Sequence, residues 1–127
     1  MWQEVAIREL AVLINISVEA SGQTFLCETK KVIPFIDKLL TGIQYKKDDE
    51  NTVDLVNRIM NLLSKISRDA NGVRQIAESK NLIFRSLLYF NKAAFPVDIV
   101  MNSLRVIHNC CKSVEGFREI CLETHSF

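Results

Sequence analysis

The sequence predicts an all-α stack of helical repeats, on three observations. A thirteen-residue phrase, "SVEASGQTFLCET" from Ser17 to Thr29, returns as "SRDANGVRQIAES" from Ser67 to Ser79 and again, more degraded, as "CKSVEGFREICLE". Superposed on Gly22, Gly72 and Gly116, the copies are offset by 50 and then 44 residues, and solenoid repeats of two or three helices recur at roughly 40–47 residues. Between the copies, apolar residues step by three and four, the spacing that lines one face of a helix.

Taken in order, the chain opens with a long helix over residues 3–17, where Ile7, Leu10, Ala11 and Ile14 share a face. The glycine after it marks a reversal of direction, since helix ends often need a residue free to leave the right-handed region. A short helix follows Gly22 in "QTFLCETK", with Leu26 at a position that Ile76 and Ile120 take in the other copies. The middle helix "VIPFIDKLL" is apolar enough to pack on more than one side, and Pro34 near its start gives up an amide without an intrahelical partner. "GIQYKKDDEN", Gly42 to Asn51, is polar, mixed in charge and without apolar period, and predicts an exposed loop that accounts for the longer first interval.

From Val53 the series Val53, Val56, Ile59, Met60, Leu63, Ile66 predicts a second long helix of about four turns. A short helix in "VRQIAESK" and a middle helix in "LIFRSLLYF" repeat the unit. Pro96 then opens a third long helix with Ile99, Val100, Leu104, Ile107 and either Cys110 or Cys111 on its apolar face. The expected division of one domain, 1–127, is a long helix at 3–17, repeats at 18–67 and 68–112, and a partial repeat at 113–127.

Composition agrees with a single globular domain: 127 residues, 48% hydrophobic and 24% charged. Sixteen Lys and Arg against 15 Asp and Glu leave a net charge of +1, which supplies no global reason to expect nucleic acid, an acidic substrate or an anionic membrane. Cys27, Cys110, Cys111 and Cys121 form neither a C-x-x-C pair nor a regular disulfide framework. Reduced thiols are expected, with Cys27 and Cys121 acting as small apolar residues and Cys110 and Cys111 unable to face one core together. "MWQEVAIREL" lacks the basic and apolar regions of a secretory signal, and no apolar run approaches the ~18 residues of a membrane span. An intracellular, cytoplasmic protein is expected, with the nucleus open as a second compartment.

The segment "VEASGQTFLCETKKVIPFIDKLL" resembles the armadillo repeat, which runs from a Gly-containing turn through a short helix into a middle helix with Ile-Pro and a closing Leu-Leu. The armadillo long helix typically ends in Leu, any residue, Asn, an apolar and a small residue, and "LINIS", "LSKIS" and "IHNCC" are similar to that ending. The resemblance covers the whole chain. It implies a right-handed α-solenoid of armadillo-type three-helix repeats, two full repeats with partial ones flanking them. Solenoid termini normally carry a polar outer face; neither end here reads as capped, so a piece of a longer array is expected, or a chain whose open ends self-associate with another subunit.

The resemblance also implies that the long helices line a concave face along which an extended peptide or protein segment lies. Counting back by four, seven and eleven from the family's Asn position gives three rungs: Glu4, Arg8, Ala11, Asn15; Asp54, Arg58, Asn61, Lys65; Asp98, Asn102, Arg105, Asn109. The expected partner-binding residues are Arg8, Asn15, Arg58, Asn61, Lys65, Asn102, Arg105 and Asn109. A merely solvated face would be equally polar, and Glu4, Asp54 and Asp98 could instead serve helix dipoles or caps. Nuclear-import receptors of the family carry Trp four residues before the Asn, where this chain has Ala11, Asn61 and Arg105, so a basic import signal is not the expected ligand. The basic centre of the groove suits an acidic or phosphorylated segment.

Catalysis is not expected, nor is a metal or cofactor. His108 and Cys111, at i and i+3, could hold zinc, but no further ligand pair is evident; His125 offers no orienting partner for a Cys nucleophile. The four glycines match no phosphate-loop pattern. Phe84, Tyr89, Phe90 and Phe95 fit a core better than a base-stacking platform. The expected function is a non-catalytic protein-interaction scaffold; the alternatives are a client-binding module of a co-chaperone and a nucleic-acid-binding helical repeat.

Overall fold

A computed structural model describes residues 2–91, 93–113 and 117–122. Gly116 of the third phrase, the end of the partial repeat and His125 lie outside the described residues. Seven helices are bounded within them: α1 Trp2–Ile16, α2 Ala20–Glu28, α3 Val32–Gly42, α4 Glu50–Ile66, α5 Ala70–Glu78, α6 Lys80–Leu88 and α7 Val97–Cys111. Residues 117–122 are helical too, and no strand occurs among the described residues. Each long, short and middle helix expected from the periodicity over these residues is present.

Helix α4 is the centre of the molecule. Its stripe buries Leu55, Val56, Ile59, Met60, Leu62, Leu63 and Ile66, and it packs along both α1 and α7. The short helices α2 and α5 pack on each other, α5 rests on α6 and α7, and α3 touches α2 and α5. Long helix therefore meets long helix and short meets short. Side-chain bonds between these units span 42 to 48 residues: Gln75 Nε2 donates to the Cys27 carbonyl (2.8 Å), Thr24 Oγ1 to Asp69 Oδ2 (2.9 Å), Asn81 Nδ2 to Asp37 Oδ1, and Asn109 Nδ2 to Ser67 Oγ (2.9 Å).

The glycines have a different role from the one the sequence suggests. Gly22 and Gly72 are the third residues of α2 and α5, inside the short helices and not before them, and no glycine among the described residues has positive φ. They are needed for closeness. A Cβ on Gly22 would fall 1.6 Å from the Ile16 carbonyl oxygen, and one on Gly72 would fall 2.2 Å from the Ile66 oxygen and 3.0 Å from Cys27 Sγ. Each short helix thus presses its first turn onto the last carbonyl of the preceding long helix. Asp69 fixes the start of α5 by accepting from the amides of Asn71 (2.9 Å) and Gly72 (3.3 Å).

The loop between α3 and α4 is shorter than expected, because α3 runs through Gly42 and α4 begins at Glu50 with Asp49 as its cap. It is not wholly exposed either. Ile43 is buried, and the Tyr45 ring packs at a tilt on Phe95, centroids 4.8 Å apart, which in turn meets Tyr89 edge-on at 5.0 Å. Of the four aromatics assigned to the core, Tyr89 is buried and Phe95 packs against it, while Phe84 and Phe90 are over a third exposed. Helix α6 accordingly buries one face, Leu82, Ile83 and Ser86, and leaves Phe84 and Leu88 outside. No described helix is long and apolar enough to cross a membrane.

Candidate functional site

The long helices set the expected rungs side by side, and the three rungs differ. On α4, Arg58 Nε donates to Asp54 Oδ1 at 3.0 Å, the only ion pair among the described residues, and Lys65 Nζ donates to Asn61 Oδ1. On α7, Arg105 Nη1 donates to Asn102 Oδ1 at 2.9 Å. Each of these cations is held by a shorter polar residue one helical turn before it. Asp54 leaves Arg58 locally neutralised.

Asn102 departs from expectation: it is 8% exposed. Its Oδ1 accepts from Arg105 Nη1, so it positions that arginine, and being buried it offers a partner little surface of its own. On α1, Arg8 and Asn15 are exposed, but no side-chain hydrogen bond among the described residues joins either of them to α4.

The residues that do come together lie at the C-terminal halves of α4 and α7. A groove of about 400 Å³ is lined by Ser64, Arg68, Leu104, Arg105, His108 and Asn109. A second, of about 320 Å³, shares Arg68 and Asn109 with it and continues to Lys112 and Ser113. Asn109 is anchored across the seam by its bond to Ser67. Lys65 stands close enough to feel this cluster: burial, and then the positive charges of Arg68 and Arg105, hold its ammonium below the usual lysine range.

Lys65, Arg68, Arg105 and Lys112 engage no carboxylate among the described residues, since the one ion pair is that of Arg58. Asp69, the acid nearest in sequence to Arg68, is committed to the α5 amides and to Thr24. Helix C-termini favour a cation each, which accounts for Lys65 and one residue of α7. It does not account for four cations with His108 beside them.

Arg68, His108 and Lys112 were absent from the rungs. A signal for two of them existed: at the 44-residue offset Arg68 and Lys112 are the same repeat position, in the phrase itself. They follow the long helices and so escaped a count that ran backward along them.

The thiols divide as expected between Cys110, buried, and Cys111, exposed. Burial first, then Asp69, pushes the Cys27 thiol up to about 12; burial, then Cys111, does the same to Cys110. Among the described residues no three His, Cys, Asp or Glu side chains gather as a metal-ligand set. Compared with protein-family models, curated proteins and solved structures, the chain matches none of them.

Proposed function

We propose that this chain is an armadillo-type α-solenoid whose task is to hold an extended, anionic polypeptide segment in the groove between α4 and α7, without chemistry of its own. The solenoid reading is supported by the repeated phrase, by long-on-long and short-on-short helix packing, and by side-chain bonds that recur at nearly one repeat length. The binding reading rests on one observation. Arg68, Arg105 and Lys112 line two adjoining grooves, Lys65 stands within electrostatic reach of Arg68 and Arg105, and none of the four pairs with a carboxylate among the described residues. Such crowding costs free energy in the empty protein that an anionic partner relieves.

The test is a calorimetric titration of the protein with a Gly-Ser peptide carrying three consecutive glutamates, at low salt. Double reversal, Lys65→Glu with Arg105→Glu, is expected to weaken binding at least tenfold, while Arg58→Glu, whose arginine is already paired with Asp54, has a much smaller effect. Equal affinity in the double variant and the parent would refute the groove as the binding surface. Tighter binding of a mixed-sequence oligonucleotide than of the peptide, with steep salt dependence, would favour nucleic acid instead.

A further inference from the structure

Resting on the reading above, we infer that the α4–α7 groove contains a discrete subsite for a phosphate monoester, centred on Arg68 and Arg105, so that the partner segment is recognised in its phosphorylated state. The charge on these helices is polarised along their length. Asp54 stands near the start of α4 and Asp98 near the start of α7, whereas Lys65, Arg68, Arg105, His108 and Lys112 all lie toward the other ends. A long acidic run laid parallel to the helices would meet Asp98 and the self-neutralised Asp54–Arg58 pair, which has no spare charge to attract it. A short ligand with its charge concentrated at one point would not.

A phosphate monoester concentrates about two charges and three acceptor oxygens on one group. Arginine forks match its geometry through paired N–H donors. Here Arg105 is held in place by Asn102, and Asn109, which lines both grooves, is fixed by Ser67. Arg68 joins the two grooves, and Leu104 supplies an apolar wall for the stem of the phosphorylated residue. The Lys65 ammonium is held below the usual lysine range first by burial and then by the positive charges of Arg68 and Arg105. A single carboxylate offers half the charge and would leave most of these donors unused.

The experiment is a ¹⁵N-resolved NMR titration with three peptides: pentaglycine with phosphoserine at its centre, and counterparts with serine and with glutamate there. The phosphoserine peptide is expected to shift amides within residues 64–68 and 104–113, at least tenfold more tightly than the glutamate peptide, with no response to the serine peptide. Inorganic phosphate should displace it. Arg68→Ala and Arg105→Ala, both at exposed positions that leave the core intact, should each weaken it tenfold or more; Arg58→Ala should not. Equal affinity for phosphoserine and glutamate, or binding insensitive to Arg68→Ala, overturns the subsite while leaving the anionic groove standing. If neither these peptides nor the triple-glutamate peptide bind, both readings fall together.

Discussion

Gly72→Ala is expected to lower stability by about 3 kcal/mol, and Gly22→Ala by as much or more, near the upper end of what overpacking costs. Alanine is the better helix former by about 1 kcal/mol, so propensity alone would make both changes favourable. Space decides otherwise. The new methyl would sit 2.2 Å from the Ile66 oxygen in one case and 1.6 Å from the Ile16 oxygen in the other, and a backbone carbonyl cannot turn aside as a flexible side chain can. The short helix must lift off the long one, loosening the seam held by Gln75 on the Cys27 carbonyl. Gly42, with nothing within 4 Å of its missing Cβ and no positive φ, is the control: Gly42→Ala should be neutral or stabilising by up to about 0.5 kcal/mol. Urea unfolding followed by circular dichroism reads all three. A Gly72→Ala midpoint equal to that of the parent would mean that the close approach is absent in solution.

The second large effect is a loss of stability in alkali. Cys27 and Cys110, both nearly inaccessible, have thiols pushed up to about 12 from a usual value near 9.0. Between those values the unfolded chain releases protons that the folded one retains, so stability falls as pH rises from about 9 and levels off above about 12. At about 1.4 kcal/mol per pKa unit, each thiol contributes on the order of 2 kcal/mol of loss by pH 10.5. Buried Tyr89, its phenol also raised by burial, adds in the same direction. Lys65, depressed, acts in the opposite one by releasing its proton earlier when folded. Urea midpoints at pH 8 and pH 10.5 give the slope. In Cys27→Ala and Cys110→Ala the thiol share of that slope should fall by roughly half, whatever the change in stability at pH 8; a slope unaltered in both would show that the thiols are not held in their neutral form.

What the sequence revealed most clearly was whatever depends on period. Of the predicted stripe, Val56, Ile59, Met60, Leu63 and Ile66 are buried on α4 and Val53 partly so, with Leu55 and Leu62 added, because helical spacing is a property of the chain itself. Pro34 and Pro96 fell at helix starts for the same local reason. The glycines were legible as a repeat but not in their role. Gly22 and Gly72 avoid a collision with a carbonyl of another helix, and only the packed arrangement brings that carbonyl near.

The site divided along the same line. Of the residues expected from the repeat register, Arg105 and Asn109 line the α4–α7 groove and Lys65 stands beside it. Asn102 was misjudged because it stands on the packed side of α7, one helical turn from buried Ile99 and Val106. Arg68 and His108 were missed because their meaning depends on which helix stands opposite: neither makes a groove alone, and the groove exists only once the ends of α4 and α7 are adjacent.

The central claim is a row of long helices in which α4 has a neighbour along both flanks and α1 has one. Amide hydrogen exchange of the monomeric protein tests it most directly. Helix α4, with nine buried residues, should exchange most slowly, by global unfolding, whereas α1, which buries only Ala6 and Leu10 and exposes Trp2, Val5 and Val12, should open locally and exchange at least tenfold faster. Protection of α1 equal to that of α4 would contradict the account, since it would require a helix covered on every side, as in a closed bundle.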